Sequence, residues 1–253
     1  PTSGEIDIDG HSPFLRQKTF LRKITLVMGQ KQQLIWDLPP LDSLRVNAAI
    51  YGLSETETKK RIDELSTMLE LGVELTRPVR KLSLGQRMKA ELLAALIHRP
   101  TLLFLDEPTL GLDINSQIRV REFLSQYNRK YGATILLTSH YMGDISSLCK
   151  RVLLIHQGEL FHDGMFSDLM NRLSPKRCVK IELLEDVALE LFLQFGDVVQ
   201  QEGRIVRILI SKSKLASNLS LLLNKFAIKD IEVTDPPIEE LIGKLLKKGH
   251  LSE

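Results

Sequence analysis

Aromatic residues are scarce in this chain, with one Trp, and cysteine is nearly absent. Cys149 and Cys178 have neither metal-ligand spacing nor the numbers for a disulfide framework. Both read as small buried hydrophobes in a reducing compartment. No apolar run approaches the roughly 20 residues that cross a bilayer. Pro1-Thr2-Ser3-Gly4 has no basic region, apolar core or initiating Met, so it does not resemble a signal peptide and reads as an internal turn of a longer protein. A net charge of +2 is too small to make nucleic acid the main partner, and none is expected. The basic runs at 59–61 and 247–248 read as solvated helix faces. The chain is thus expected to be cytoplasmic, reaching a membrane only through a partner. What is present is an ordinary globular composition, 43% hydrophobic and 26% charged over 253 residues, enough for one large domain with an appendage.

Short strands are expected at 5–8 and 24–28, then helical structure from Leu38 to about Leu75. Ser54 and Glu57 form a Ser-x-x-Glu capping pattern ahead of Ile62, Leu65, Met68, Leu69 and Leu71. A second helix follows Gly85, with Met88, Leu92, Leu93 and Leu96 on one face. Residues 101–105 and 134–137 are nearly continuous apolar runs, as parallel strands buried on both faces require, and their polar C-terminal ends are where α/β sheets place ligands. Residues 116–131 between them are helical, and 151–155 and 159–161 suggest a hairpin about Gln157-Gly158. Pro175 marks a domain boundary, giving residues 1–174 and 175–253. Beyond it the expected order is strand (178–183), helix (187–195), strand (198–201), strand (205–210), helix (215–226) and strand (228–233). That order suggests a ferredoxin-like appendage. A last helix, 238–247, opens after Pro236-Pro237.

The strongest chemical signal is Leu102-Leu103-Phe104-Leu105-Asp106-Glu107-Pro108, an apolar strand delivering two adjacent carboxylates. Phosphoryl transfer needs one carboxylate in the Mg²⁺ shell and another to orient or deprotonate the attacking water; Asp106 suits the first role and Glu107 the second. An isolated pair of this kind is usually a solvated turn. Here it has company. Leu82-Ser83-Leu84-Gly85-Gln86-Arg87 opens a helix, where free N–H groups and the helix dipole favour phosphate, although capping alone would explain Ser83. Gly111-Leu112-Asp113 and Thr138-Ser139-His140 follow, and His140 could bond a γ-phosphate and fix the Glu107 geometry. Gln30, in Met28-Gly29-Gln30-Lys31, ends another strand where an amide can reach Mg²⁺ and water.

These segments, in this order, resemble the Q-loop, signature, Walker B, D-loop and H-loop of the ABC transporter ATPases, over residues 1 to about 170. Residues 29–40 and 77–113 look most like bacterial subunits that work with ABC-2-type permeases, often exporters. The resemblance implies a P-loop NTPase-like α/β core with a parallel sheet and a helical signature subdomain over about 38–98. It also implies ATP and Mg²⁺ as ligands, a separate transmembrane permease, and a second nucleotide-binding domain meeting the first head to tail. Carried over by motif, Gln30 is the Q-loop glutamine, Ser83, Gly85 and Gln86 belong to the signature, and Asp106 is the Walker B aspartate. Glu107 is then the catalytic base, Asp113 the D-loop aspartate and His140 the switch histidine.

Two departures stand out. Leu84 occupies a position where the family has Gly, which removes backbone freedom but leaves Ser83 and Gly85. More severely, the sequence holds no Gly-x-x-x-x-Gly-Lys-Ser/Thr loop; its only Gly-Lys pair, Gly243-Lys244, precedes Leu245. The expectation is an N-terminally truncated ATPase subunit whose phosphate loop lies upstream. Two alternatives stay open: a non-catalytic piece that supplies its signature in trans, and a soluble ABC protein outside transport.

Overall fold

The computed structural model describes residues 2–29, 33–173 and 176–234. They divide into two compact units, Pro1–Leu148 and Cys149–Glu253. The sequence boundary at Pro175 falls later than this division, which groups the 151–165 hairpin with the second unit.

The first unit contains α1 (Lys18–Leu21), β1 (Ile24–Met28), α2 (Pro40–Ile50), α3 (Glu55–Leu69), α4 (Leu84–Leu96), β2 (Leu102–Asp106), α5 (Ile114–Tyr131), β3 (Thr134–Thr138) and α6 (Met142–Leu148). Its sheet has the order β1-β2-β3, all parallel. Met28 pairs with Asp106 and Asp106 with Thr138, so all three strands end at one level. That shared edge positions the site.

The sheet packs on α4 and α5. Leu103, Leu105, Leu92, Leu93, Leu96, Val120, Phe123 and Tyr127 are all buried in one core. The face expected for α4 is correct, and Ala90, Ala94 and Ala95 extend its burial nearly all round. Ser54 caps α3 by accepting from the Glu57 amide at 3.2 Å. The Glu57 carboxylate turns to Arg61 instead of closing the box. The strand expected at 5–8 is absent. Its alternation has no neighbouring strand to pair with, and Ile8 forms only an isolated bridge to His11 around a turn in which Asp7 accepts from the Gly10 amide.

A titratable ring lies half-buried in this unit. His98 stacks on Tyr51 with centroids 3.7 Å apart, and burial, reinforced by the charge of Arg61, holds its pKa down at about 4. Between the usual histidine value of about 6.5 and that value, the unfolded chain binds a proton that the folded chain refuses. Stability therefore falls as pH is lowered through this window. Melting temperature is expected to drop between pH 7 and 5, and His98→Phe, which keeps the stack, should flatten the drop. An unaltered pH slope in a folded His98→Phe variant would contradict this.

The second unit holds the hairpin β4 (Arg151–His156) and β5 (Glu159–Met165), α7 (Phe166–Leu173), β6 (Lys176–Leu183), β7 (Asp197–Glu202), β8 (Ile205–Ser211), α8 (Leu215–Lys225) and β9 (Ile228–Thr234). The hairpin turns through positive φ at Gln157 (49°) and Gly158 (83°), the backbone that a tight two-residue connection needs. Strands β7-β8-β6-β9 form an antiparallel sheet in the ferredoxin-like order. The helix expected at 187–195 is a correction: only a short 3-10 turn, Leu189–Phe192, forms there. Phe192 and Phe195 are both buried, and Gly196 passes so close to β8 that an added Cβ would lie 2.3 Å from the Leu209 carbonyl oxygen. The turn ends at Phe192, and the Phe192 and Phe195 rings both meet that of Phe226. The helix expected at 238–247 lies outside the described residues.

Candidate active site

Strand β2 carries Asp106 to the sheet edge and then turns sharply. Glu107 has φ of 52°, a left-handed conformation unusual for a residue with a side chain. It is held there by its amide, which donates to the Thr138 carbonyl at 3.0 Å, while the Gly29 amide donates to the Asp106 carbonyl at 2.9 Å. Gly29 is required by close approach: a Cβ there would stand 2.3 Å from the Glu107 carbonyl oxygen.

The two carboxylates face different partners. Thr138 Oγ1 donates to Asp106 Oδ1 at 2.6 Å. Glu107 Oε2 lies 2.8 Å from His140 Nδ1 and accepts from the His140 amide at 3.4 Å. The Glu107 side chain is 27% exposed and that of His140 55%, and the second Glu107 oxygen takes no hydrogen bond among the described residues. An anchored carboxylate with one free oxygen can take a proton from a water held beside it. Asp106 Oδ2 takes no hydrogen bond among the described residues, and an exposed carboxylate oxygen beside a hydroxyl suits a hard cation such as Mg²⁺.

The other expected residues gather separately. Ser83 caps α4 in a full capping box: its hydroxyl accepts from the Gln86 amide at 3.2 Å, and Gln86 Oε1 accepts from the Ser83 amide at 3.0 Å. Gln86 also donates to Glu74. Asp113 caps α5, with one oxygen on the Ser116 amide and the other on the Ser116 hydroxyl; these bonds hold its carboxyl below the usual range. Gly85 packs directly on this cap, since an added Cβ would lie 2.2 Å from Ser116 Oγ. No side-chain hydrogen bond or ion pair among the described residues links this group to Asp106, Glu107 or His140. Gln30 lies outside the described residues.

Sequence reasoning missed Glu91. This residue lies on the buried side of α4, only 5% exposed, and its carboxylate accepts from the amides of Gln33 (3.0 and 3.1 Å) and Leu34 (3.3 Å). Burial raises its pKa despite those amides and the nearby Arg87 charge. The available signal was one acid among the apolar positions Met88, Leu92 and Leu96. Glu91→Leu is expected to cost about 1–3 kcal/mol, the penalty for stranding buried N–H donors. Chemical denaturation measures it; an unchanged midpoint would refute the assignment.

Comparison with known proteins identifies the family. A family model described as ABC transporter matches residues 1–110, and one described as the C-terminal domain of EvrA-like ABC transporters matches 175–234. The chain is 34% identical over 169 residues to the ABC transporter ATP-binding protein NatA of Bacillus subtilis (strain 168), covering 67% of this chain and 68% of that protein. It is 30% identical over 256 residues to the bacitracin transport ATP-binding protein BcrA of Bacillus licheniformis, covering 98% and 81%. Among solved structures, the dimeric post-hydrolysis state of the ATP-binding cassette MJ0796, bound to ADP and Pi, aligns with TM-score 0.56 and 26% identity over 65% of this chain and 74% of that one. A parallel sheet whose edge carries adjacent carboxylates, joined to such relatives over most of its length, leaves one conclusion: the chain belongs to the ABC transporter family of ATP-binding, ATP-hydrolysing subunits.

Proposed function

We propose that this chain energises export through a separate ABC-2-type permease, working at the cytoplasmic face of the membrane as half of a head-to-tail pair of nucleotide-binding domains. The 2.8 Å contact between His140 and Glu107 carries the reading, because it prepares one carboxylate for water activation at the sheet edge. Glu107 takes the proton of the attacking water on its free oxygen while His140 holds the other. Asp106, with Gln30, would hold Mg²⁺, which would neutralise charge on the phosphate oxygens. Ser83, Gly85 and Gln86 present a helix N-terminus to the nucleotide of the opposite subunit, with Asp113 beside them. The separation of the two groups within one chain supports head-to-tail pairing, since each nucleotide then draws on both subunits. Export is favoured by the resemblance of residues 29–40 and 77–113 to subunits of ABC-2 systems.

The test uses a loop-bearing subunit, made by joining the phosphate-loop segment of a relative ahead of Pro1. Reconstituted with a candidate ABC-2-type permease in vesicles, it should hydrolyse ATP faster than without the permease and move cargo away from the nucleotide side. Movement toward that side, or no stimulation by any such permease, would refute the proposal. The chain by itself is expected to release phosphate from Mg²⁺-ATP at background rate, because its sequence holds no Gly-x-x-x-x-Gly-Lys-Ser/Thr loop to cradle the β- and γ-phosphates. Turnover by the purified chain that disappears in Glu107→Gln would show this wrong.

A further inference from the structure

Asp144 has no role in the site described so far, yet it is fully buried, at 0% exposure, near the start of α6. A buried carboxylate is retained only where it is paired and hydrogen-bonded. Its partners come from three elements. Oδ2 accepts from Thr109 Oγ1, itself 0% exposed, and from Ser139 Oγ at 2.8 Å. Oδ1 faces Arg121 Nε of α5 at 3.4 Å. The approach of Arg121 is built in: an added Cβ on Gly143 would lie 2.5 Å from Arg121 Nη1, and the guanidinium is also held by the Gln117 carbonyl at 3.2 Å. Ser139 Oγ in turn accepts from the Tyr141 amide at 3.0 Å.

The positions of the two hydroxyls matter. Thr109 follows Glu107 by two residues, and Ser139 immediately precedes His140. One carboxylate oxygen therefore ties the loop leaving β2 to the loop leaving β3, within two residues of each of the side chains that meet at 2.8 Å. We infer that Asp144 is a positioning residue: through Thr109 and Ser139 it sets the distance between Glu107 and His140. The inference rests on the reading of Glu107 and His140 as the reacting pair. Local packing alone would need no acid here, because an apolar side chain fills the same volume without desolvation.

Selective ¹⁵N labelling of the histidine rings in the full chain tests this, with the His140 signals assigned by their loss in His140→Gln. Glu107→Gln supplies the reference for a ring without its carboxylate. Asp144→Asn either turns its NH₂ to the hydroxyls and loses their shared acceptor, or turns it to Arg121, where donor meets donor and the oxygen left to the hydroxyls carries no charge; the tie weakens in both orientations. Its His140 ring signals are expected to move toward the Glu107→Gln positions, with the other histidines unmoved. Thr109→Val and Ser139→Ala remove one tie each and should move the same signals part of the way, which decides the matter even if Asp144→Asn fails to fold. Unshifted His140 signals in folded Asp144→Asn, or in both hydroxyl variants, would overturn the inference while leaving the reacting pair intact. Unshifted signals in Glu107→Gln itself would instead remove the pair, and the inference with it.

Discussion

In the loop-bearing subunit, Glu107→Gln is expected to bind ATP normally and to lose hydrolysis by about 10²- to 10⁴-fold, the usual contribution of a positioned general base. The amide keeps the shape of the carboxylate and can still meet His140, but it cannot accept the proton of water. The loss should therefore lie almost wholly in kcat, with nucleotide affinity preserved. His140→Ala should lower kcat as well, because the Glu107 oxygen it holds at 2.8 Å would be free to wander. Phosphate release and fluorescent-nucleotide binding measure the two quantities separately. Near-normal turnover in Glu107→Gln would mean that another group takes the proton.

Gly29→Ala is expected to be as damaging to turnover, although it removes no chemical group. The added methyl would stand 2.3 Å from the Glu107 carbonyl oxygen, well inside contact distance. Neither side can yield easily. The Gly29 amide is bonded to the Asp106 carbonyl, and the Glu107 amide to the Thr138 carbonyl. Overpacking of this kind costs about 1–3 kcal/mol, and relief by shifting the Glu107 turn moves the carboxylate away from His140. Thermal unfolding and kcat should fall together. A variant with parental melting temperature and parental turnover would show that the sheet edge has slack.

How much of this was readable in the chain depended on how each residue earns its place. The runs at 101–105 and 134–137 were legible as parallel strands, but burial on both faces is a correction: Leu103 and Leu105 are enclosed, whereas Leu136 is half-exposed. Asp106, Glu107 and His140 stood out because polar residues ending such runs need an explanation. The turn at 189–192 did not, since its apolar residues suit a helix equally well; the close passage of Gly196 beside Leu209 decides it, and that is a tertiary fact. Asp144 and Glu91 were hidden for a different reason. A lone acid in a helix normally faces water, and only the arrival of Thr109, Ser139 and Arg121, or of the Gln33 and Leu34 amides, gives it a task. Capping was readable for Ser83, whereas the cap formed by Asp113 was missed and the contact that Gly85 makes with it is a tertiary fact.

Helix α4 carries Ser83 at its tip and Glu91 two turns further in, gripping the strand exit that leads from Gly29. At 1.5 Å per residue the two points are roughly 12 Å apart along a stiff rod. Glu91 is the point at which the neighbouring backbone holds this rod. A displacement of the Gln33–Leu34 backbone that tilts the rod by about 5° swings its tip by roughly 1 Å, enough to make or break a hydrogen bond. A tilt imposed where the Gln33 and Leu34 amides hold Glu91 would therefore be read at the helix tip that Ser83 caps.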